Sequence, residues 1–228
     1  MKLVLNLGIG AALLAVTGIG PASAQVVQGT REGLTVANSL YGPTGLITIP
    51  TAYVTPHRTW ALSASFGRDI RVPAVNYGVL PYIEIGGGFV DRESGGNKAI
   101  ANAKVTIIPS NFKWFEIGVG IIDPADAVDQ TVYFVASADL VPPKWDVPER
   151  GIESVGLKAH FGAGTGLFRE KFFGGAELLF NKKLSLIGEW DTKNVNAAVR
   201  FAPADYLRLQ LGVQGKDIHF SATTTFRL

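Results

Sequence analysis

From Trp60 to the last residue, apolar and polar side chains alternate with a period of two, in short runs separated by turn-forming clusters. Trp60, Leu62, Ala64 and Phe66 share one side, opposite Ala61, Ser63, Ser65 and Gly67. Ile83, Ile85 and Phe89 alternate with Tyr82, Glu84, Gly86 and Gly88, and Ala101, Ala103, Val105 and Ile107 with Asn102, Lys104 and Thr106. Phe115, Ile117, Val119 and Ile121 oppose Trp114, Glu116, Gly118 and Gly120. The second half repeats the scheme. Val155, Leu157, Ala159 and Phe161 face away from Gly156, Lys158 and His160, and Ala176 and Leu178 from Gly175 and Glu177. Val195, Ala197, Val199 and Phe201 oppose Asn196 and Arg200, and Leu207, Leu209, Leu211 and Val213 oppose Arg208, Gln210, Gly212 and Gln214. Such alternation is the mark of strands with two unlike faces.

Eleven breaks rich in Gly, Pro, Asp and Asn divide the run into twelve predicted strands. They lie near 59–67, 74–80, 82–90, 99–108, 113–122, 131–140, 152–161, 172–181, 184–191, 194–201, 207–214 and 217–228. Most have the length that a tilted strand needs to cross a bilayer, and an even number suits a single-chain bacterial barrel. The last strand places Ile218, Phe220, Ala222, Thr224, Phe226 and Leu228 on one face and ends with the chain, as barrels handled by the assembly machinery do. The predicted fold is all-β, a single transmembrane antiparallel β-barrel of about twelve strands.

What the faces carry distinguishes a barrel from a sandwich. The less apolar face is filled with Gly, Ser, Asn and single charges, which suit a narrow wet interior. The other face carries many Phe residues, several at strand ends where an aromatic girdle meets the headgroups. The chain is 47% hydrophobic, with 27 Gly, 13 Phe and 1 Met, a composition that fits lipid-facing strands better than a helical bundle.

The first segment sets the compartment. Met1-Lys2, an uncharged stretch from Leu3 to Ile19 and Pro21-Ala22-Ser23-Ala24 read as a signal peptide over 1–24, with Gln25 as the mature start. Residues 25–58 are expected to form an N-terminal arm, and 59–228 the barrel. With signal residue Lys2 removed from the 21 basic residues, 20 face 19 acidic ones, a net +1 that does not suggest nucleic-acid binding. No cysteine is present, which excludes disulfides, thiolate metal sites and the usual lipoprotein acylation.

Gly42-Pro43-Thr44-Gly45-Leu46-Ile47-Thr48-Ile49-Pro50-Thr51-Ala52-Tyr53 precedes the first strand. Gly42 and Gly45 around Pro43 allow a tight turn, and Pro50 cannot donate to a ladder. Ile47 to Thr51 is therefore expected against the periplasmic rim or inside the lumen, with an ordinary first edge strand as the alternative. The segment resembles the Gly-Leu-Ile-x-x-Pro-Thr-Ala motif of the YjbH-like proteins, outer-membrane β-barrels linked to exopolysaccharide production. Its motif positions here are Gly42, Gly45, Leu46, Ile47, Pro50, Thr51 and Ala52. Ser65-Phe66-Gly67 and the Arg200–Leu209 segment, with its Pro-containing turn, resemble the same family. The resemblance implies a non-enzymatic barrel in the outer membrane, supporting exopolysaccharide export or envelope organisation. Its expected partners are outer-membrane lipids, the barrel-assembly machinery and polysaccharide or export proteins.

Chemical constellations are sparse. H-E-x-x-H, G-x-S-x-G and a P-loop are absent, and no catalytic residue, metal ligand or cofactor is expected. Gly162 to Gly166 reads as a flexible loop, and Asp123, Asp126 and Asp129 as a solvated acidic loop with Ca²⁺ as the alternative. His219 and Ser221 leave a lipid hydrolase open as a minor alternative. The best binding candidates are the inward charges Glu84, Lys104, Glu116, Lys158, Glu177, Glu189, Arg200 and Arg208. They are read either as a saccharide path, with Tyr82, Trp114 and Trp190 as stacking partners, or as an ion-pair network in a closed structural or adhesive barrel.

Overall fold

The computed structural model describes residues 36–93, 95–107, 115–142 and 155–227. The expected signal segment 1–24, residues 25–35, Trp114 and Leu228 lie outside them. Twelve strands form one closed antiparallel barrel. They are β1 (Thr59–Phe66), β2 (Ile70–Leu80), β3 (Ile83–Arg92), β4 (Gly96–Thr106), β5 (Phe115–Ile122), β6 (Thr131–Val141), β7 (Gly156–Gly164), β8 (Lys171–Leu179), β9 (Leu184–Trp190), β10 (Val195–Ala204), β11 (Leu207–Gln214) and β12 (Asp217–Arg227). Each pairs with its sequence neighbours, and β12 closes on β1 from Thr59↔Arg227 to Phe66↔Phe220. Closure leaves no unpaired edge, which is what allows strands to lie in hydrocarbon.

Three local departures from the expected boundaries have physical causes. β2 starts before Pro73, which lies in a gap of the β2–β3 ladder between Arg71↔Asp91 and Ala74↔Gly88. β10 runs through Pro203 because the β10–β11 register shifts between Phe201 and Ala204, and a bulge tolerates a residue without an N–H. Gly162-Ala163-Gly164 belongs to β7 rather than to a loop, and a 3-10 turn, Gly166–Phe168, follows.

The outer wall is apolar. Ile85, Phe89, Val105, Phe134, Phe161, Phe172, Leu186, Val199 and Leu211 are all exposed there. Phe161 stacks on Phe172 and Phe66 on Phe220 across neighbouring strands. Trp190 alternates with the inward Glu189 and is exposed on the outer wall, and Tyr82 is exposed in the turn between β2 and β3.

The interior is divided along the barrel axis. One end, the termini end, carries the start of β1 and the end of β12. Towards it lie the buried charges Glu84, Lys104, Glu116, Lys158, Glu177 and Arg208, each close to the termini-end limit of its strand. Towards the opposite end the wall turns inward Val72, Val90, Ile122, Tyr133, Phe173 and Ala198. A wholly wet interior is thus corrected: half of it is an apolar core. Residues such as Val90 and Ile122 point inward because alternation continues past the polar half of their strands, with hydrophobic side chains on both faces there.

Candidate functional site: a lumen filled by the N-terminal arm

The apolar half needs something to pack against, and the arm supplies it. Residues 37–55 fold inside the barrel, and the chain then passes through the partly buried Pro56 and His57 and the exposed Arg58 into β1. Leu40, Leu46, Ile47, Ile49 and Ala52 are almost completely buried and form one cluster with the inward apolar wall. Of the placements expected for Ile47 to Thr51, the lumen is the observed one. Gly45 N–H donates to Ala37 O at 2.8 Å and Leu46 N–H to Ile49 O at 3.0 Å, closing compact turns around the motif. Small wall residues make room for it. A Cβ at Gly175 would lie 2.7 Å from Leu46 Cδ1, and one at Gly118 would lie 3.0 Å from Ala52 Cα.

The wall grips the arm chiefly by its main chain. Glu84 is fully buried, sits 3.0 Å from Lys104 Nζ, and faces it in register across β3 and β4. Its carboxylate accepts the N–H groups of Thr44 at 2.9 Å and Thr55 at 2.7 Å, with both threonine hydroxyls. Lys104 Nζ donates to the carbonyls of Thr44 at 2.8 Å and Thr51 at 3.1 Å. Arg200 lies 3.2 Å from Glu177 and donates to the carbonyls of Gly45 and Leu46 at 3.0 and 3.2 Å. Asn76 Nδ2 donates to Gly42 O at 2.5 Å, and Thr106 Oγ1 to Ala52 O at 2.7 Å. Charged groups buried in this way are tolerated because each finds a counter-charge or several hydrogen bonds.

Glu189, near the opposite end, is held differently. Its Oε2 accepts Ile47 N–H at 2.9 Å and Ile49 N–H at 3.4 Å. Its Oε1 accepts Thr48 N–H at 2.8 Å, Thr48 Oγ1–H at 2.5 Å and Asn196 Nδ2–H at 2.9 Å. Its charge also acts through space on Arg200, whose guanidinium pairs with Glu177.

The remaining candidates fall into place around these contacts. Lys158 pairs with Asp139 at 3.2 Å rather than with a glutamate, and Tyr53 Oη–H donates to the same carboxylate at 3.0 Å. Glu116 is buried opposite Ser137 in the β5–β6 register. Arg208 donates to the carbonyls of Ala204 and Leu207 at 2.9 and 3.0 Å, so it braces a turn of the wall. The sequence reading places these charges inside without assigning pairs; Glu84 meets Lys104 and Glu177 meets Arg200, while it misses Asp139, whose place opposite Lys158 is set by strand register. It also misses a buried link from Ala52 N–H to Ser137 Oγ at 2.8 Å, and from Ser137 Oγ to His160 Nδ1 at 2.8 Å.

Other expected chemistry is not assembled. His219 and Ser221 both point inward and are buried, and neither ring nitrogen of His219 has a hydrogen-bond partner, so no Ser-His pair forms. Asp123 accepts the N–H groups of Val128 and Asp129, and Asp126 that of Gln130, so these carboxylates shape their own loop. No cluster of potential metal ligands occurs among the described residues.

No family model matches the sequence, and no curated protein matches it. Among solved structures the chain is similar to the KdgM porin, at 8% identity over 75% of this chain and 99% of that one, with a TM-score of 0.50. It also aligns with a NanC porin structure at 7% identity, over 74% of this chain and all (100%) of that one, with a TM-score of 0.47. At such identity the likeness to the KdgM porin is one of fold, and the shared fold is the closed antiparallel barrel itself.

Proposed function

We propose that this chain is a non-enzymatic outer-membrane β-barrel of YjbH-like type that supports exopolysaccharide production or envelope organisation, with its lumen closed at rest by its own N-terminal arm. The single observation that carries the reading is the arm. The Gly42–Tyr53 segment, on which the resemblance rests, is the segment held in the lumen by Glu84, Lys104, Arg200 and Glu189. The apolar outer wall supports the membrane placement, since it offers hydrocarbon a continuous surface and encloses the charges. The fold shared with a porin is compatible with it.

Fractionation of cells making the full chain tests the placement: the protein is expected in the outer membrane and heat-modifiable on gels. Recovery in the soluble periplasm defeats it. Deleting the gene is expected to change the amount of surface polysaccharide, and an unchanged amount removes the exopolysaccharide role.

A second reading, a structural or adhesive barrel that conducts nothing, is favoured by the buried ion pairs that hold the arm. Neutralising Glu116 and Lys158 separates the two. A transport or binding role loses function in the variant, whereas a scaffold loses stability alone.

A further inference from the structure

Three consecutive N–H groups at the tip of the arm, those of Ile47, Thr48 and Ile49, converge on the two oxygens of one carboxylate. Successive amides arranged in this way form a concave anion site, a nest, whose shape and dipoles select a negative group. The Thr48 hydroxyl and the Asn196 amide complete a ring of donors around the same two oxygens. The occupant is a side chain of the wall, Glu189. Glu84 at the other end of the lumen has Lys104 at 3.0 Å and is fixed by charge as well as by hydrogen bonds. Glu189 is held by five hydrogen bonds and couples electrostatically to Arg200, whose guanidinium pairs with Glu177, and Asp191 places a second carboxylate 3.3 Å from the Thr48 hydroxyl. Glu189 is buried and is the penultimate residue of β9, on the strand that leads into the exposed Lys193-Asn194 turn.

We infer that the Ile47–Ile49 tip is a carboxylate-binding site that Glu189 occupies in the closed barrel, and that a carboxylate-bearing saccharide competing for it releases the tip. The inference rests on the arm closing the lumen and gives that closure a ligand. A carboxylate is the class of ligand because the donors are placed for a planar group with two oxygens, one oxygen taking Ile47 and Ile49 and the other Thr48 and Asn196. Only a group that binds the released tip better than the latched one shifts the balance, and the vacated amides supply that difference.

The experiment reads exposure of the tip in the purified, folded full chain. The protein has no cysteine, so Ile49→Cys introduces a single thiol at a position that is now fully buried. The parent carrying I49C is expected to react slowly with a maleimide. Adding Glu189→Ala is expected to raise the rate about tenfold, equivalent to about 1.4 kcal/mol of lost latching. Formate, which fits the space left by the side chain, is expected to slow the reaction again. In the parent, glucuronate is expected to speed labelling and glucose to leave it unchanged. Should E189A fail to fold, E189Q takes its place, since it keeps the volume and removes the charge, and it too is expected to label faster. Labelling of E189A or E189Q at the parent rate overturns the inference. So does a response to glucose equal to that to glucuronate, or formate without effect on E189A. The readout does not depend on cell fractionation or polysaccharide yield, so failure here and failure of the proposed function are distinct results.

Discussion

Glu84 and Lys104 face each other across β3 and β4 at 3.0 Å, both fully buried, and each also holds the arm. The pair is therefore a joint between wall and arm as well as a neutralised charge. Removing one partner leaves the other charge buried and unpaired. Glu84→Ala is expected to lower stability by about 3–5 kcal/mol. Replacing both with methionine is expected to cost less than Glu84→Ala alone, because no charge is then left unpaired. Urea unfolding in lipid vesicles, followed by loss of heat-modifiability, measures both variants. A double variant weaker than the single one contradicts the account.

The seat of Ala52 on Gly118 offers a direct check of the arm's position. A Cβ on Gly118 would lie 3.5 Å from Ala52 Cβ, within the separation that disulfides adopt. The A52C/G118C variant is expected to cross-link on oxidation and to run faster than its reduced form on a denaturing gel. With no other cysteine in the chain, no competing bridge can form. Failure to cross-link means that the arm does not rest on β5.

Outward and inward positions should respond oppositely to charge. Phe161 is exposed at 55% on the outer wall, and its neighbour in sequence, His160, is buried inside. Phe161→Arg is expected to destabilise the barrel in bilayers by about 2–4 kcal/mol if the site lies near the midplane. The same substitution measured in lipids of different thickness locates the residue. A neutral effect in every bilayer excludes contact with hydrocarbon.

The apolar half of the lumen makes the arm structural. Ile49 is fully buried there, packed in a cluster with wall residues. Ile49→Ala is expected to cost about 2–5 kcal/mol through the cavity it leaves. Equilibrium unfolding in urea provides the value, and a change below about 1 kcal/mol contradicts a well-packed seat.

The barrel was legible in the sequence because alternation is a local property. Leu207 to Val213 against Arg208 to Gln214 states its own two faces, and neighbouring hairpins repeat the statement. The sites that misled are those where another force overrides the pattern. Gly162 and Gly164 looked like a loop because three-dimensional packing is invisible locally: in β7 their missing side chains admit the rings of Phe173 and Phe168. The two-sided apolar stretches, such as Phe89-Val90 and Ile121-Ile122, lose their alternation because the lumen is hydrophobic where the arm fills it. Pairings such as Lys158 with Asp139 depend on strand register, which is fixed only once the ring closes.

The wall holds the arm through peptide N–H and C=O groups at Gly42, Thr44, Gly45, Leu46, Ile47, Thr48, Ala52 and Thr55. Carbonyls are common to all twenty amino acids and amide hydrogens to all but proline, so the anchorage tolerates drift in spelling at many of these positions. Kinship between such proteins would then be written in the buried acids and bases of the cylinder, and in how many residues precede it, more than in the words of the segment inside.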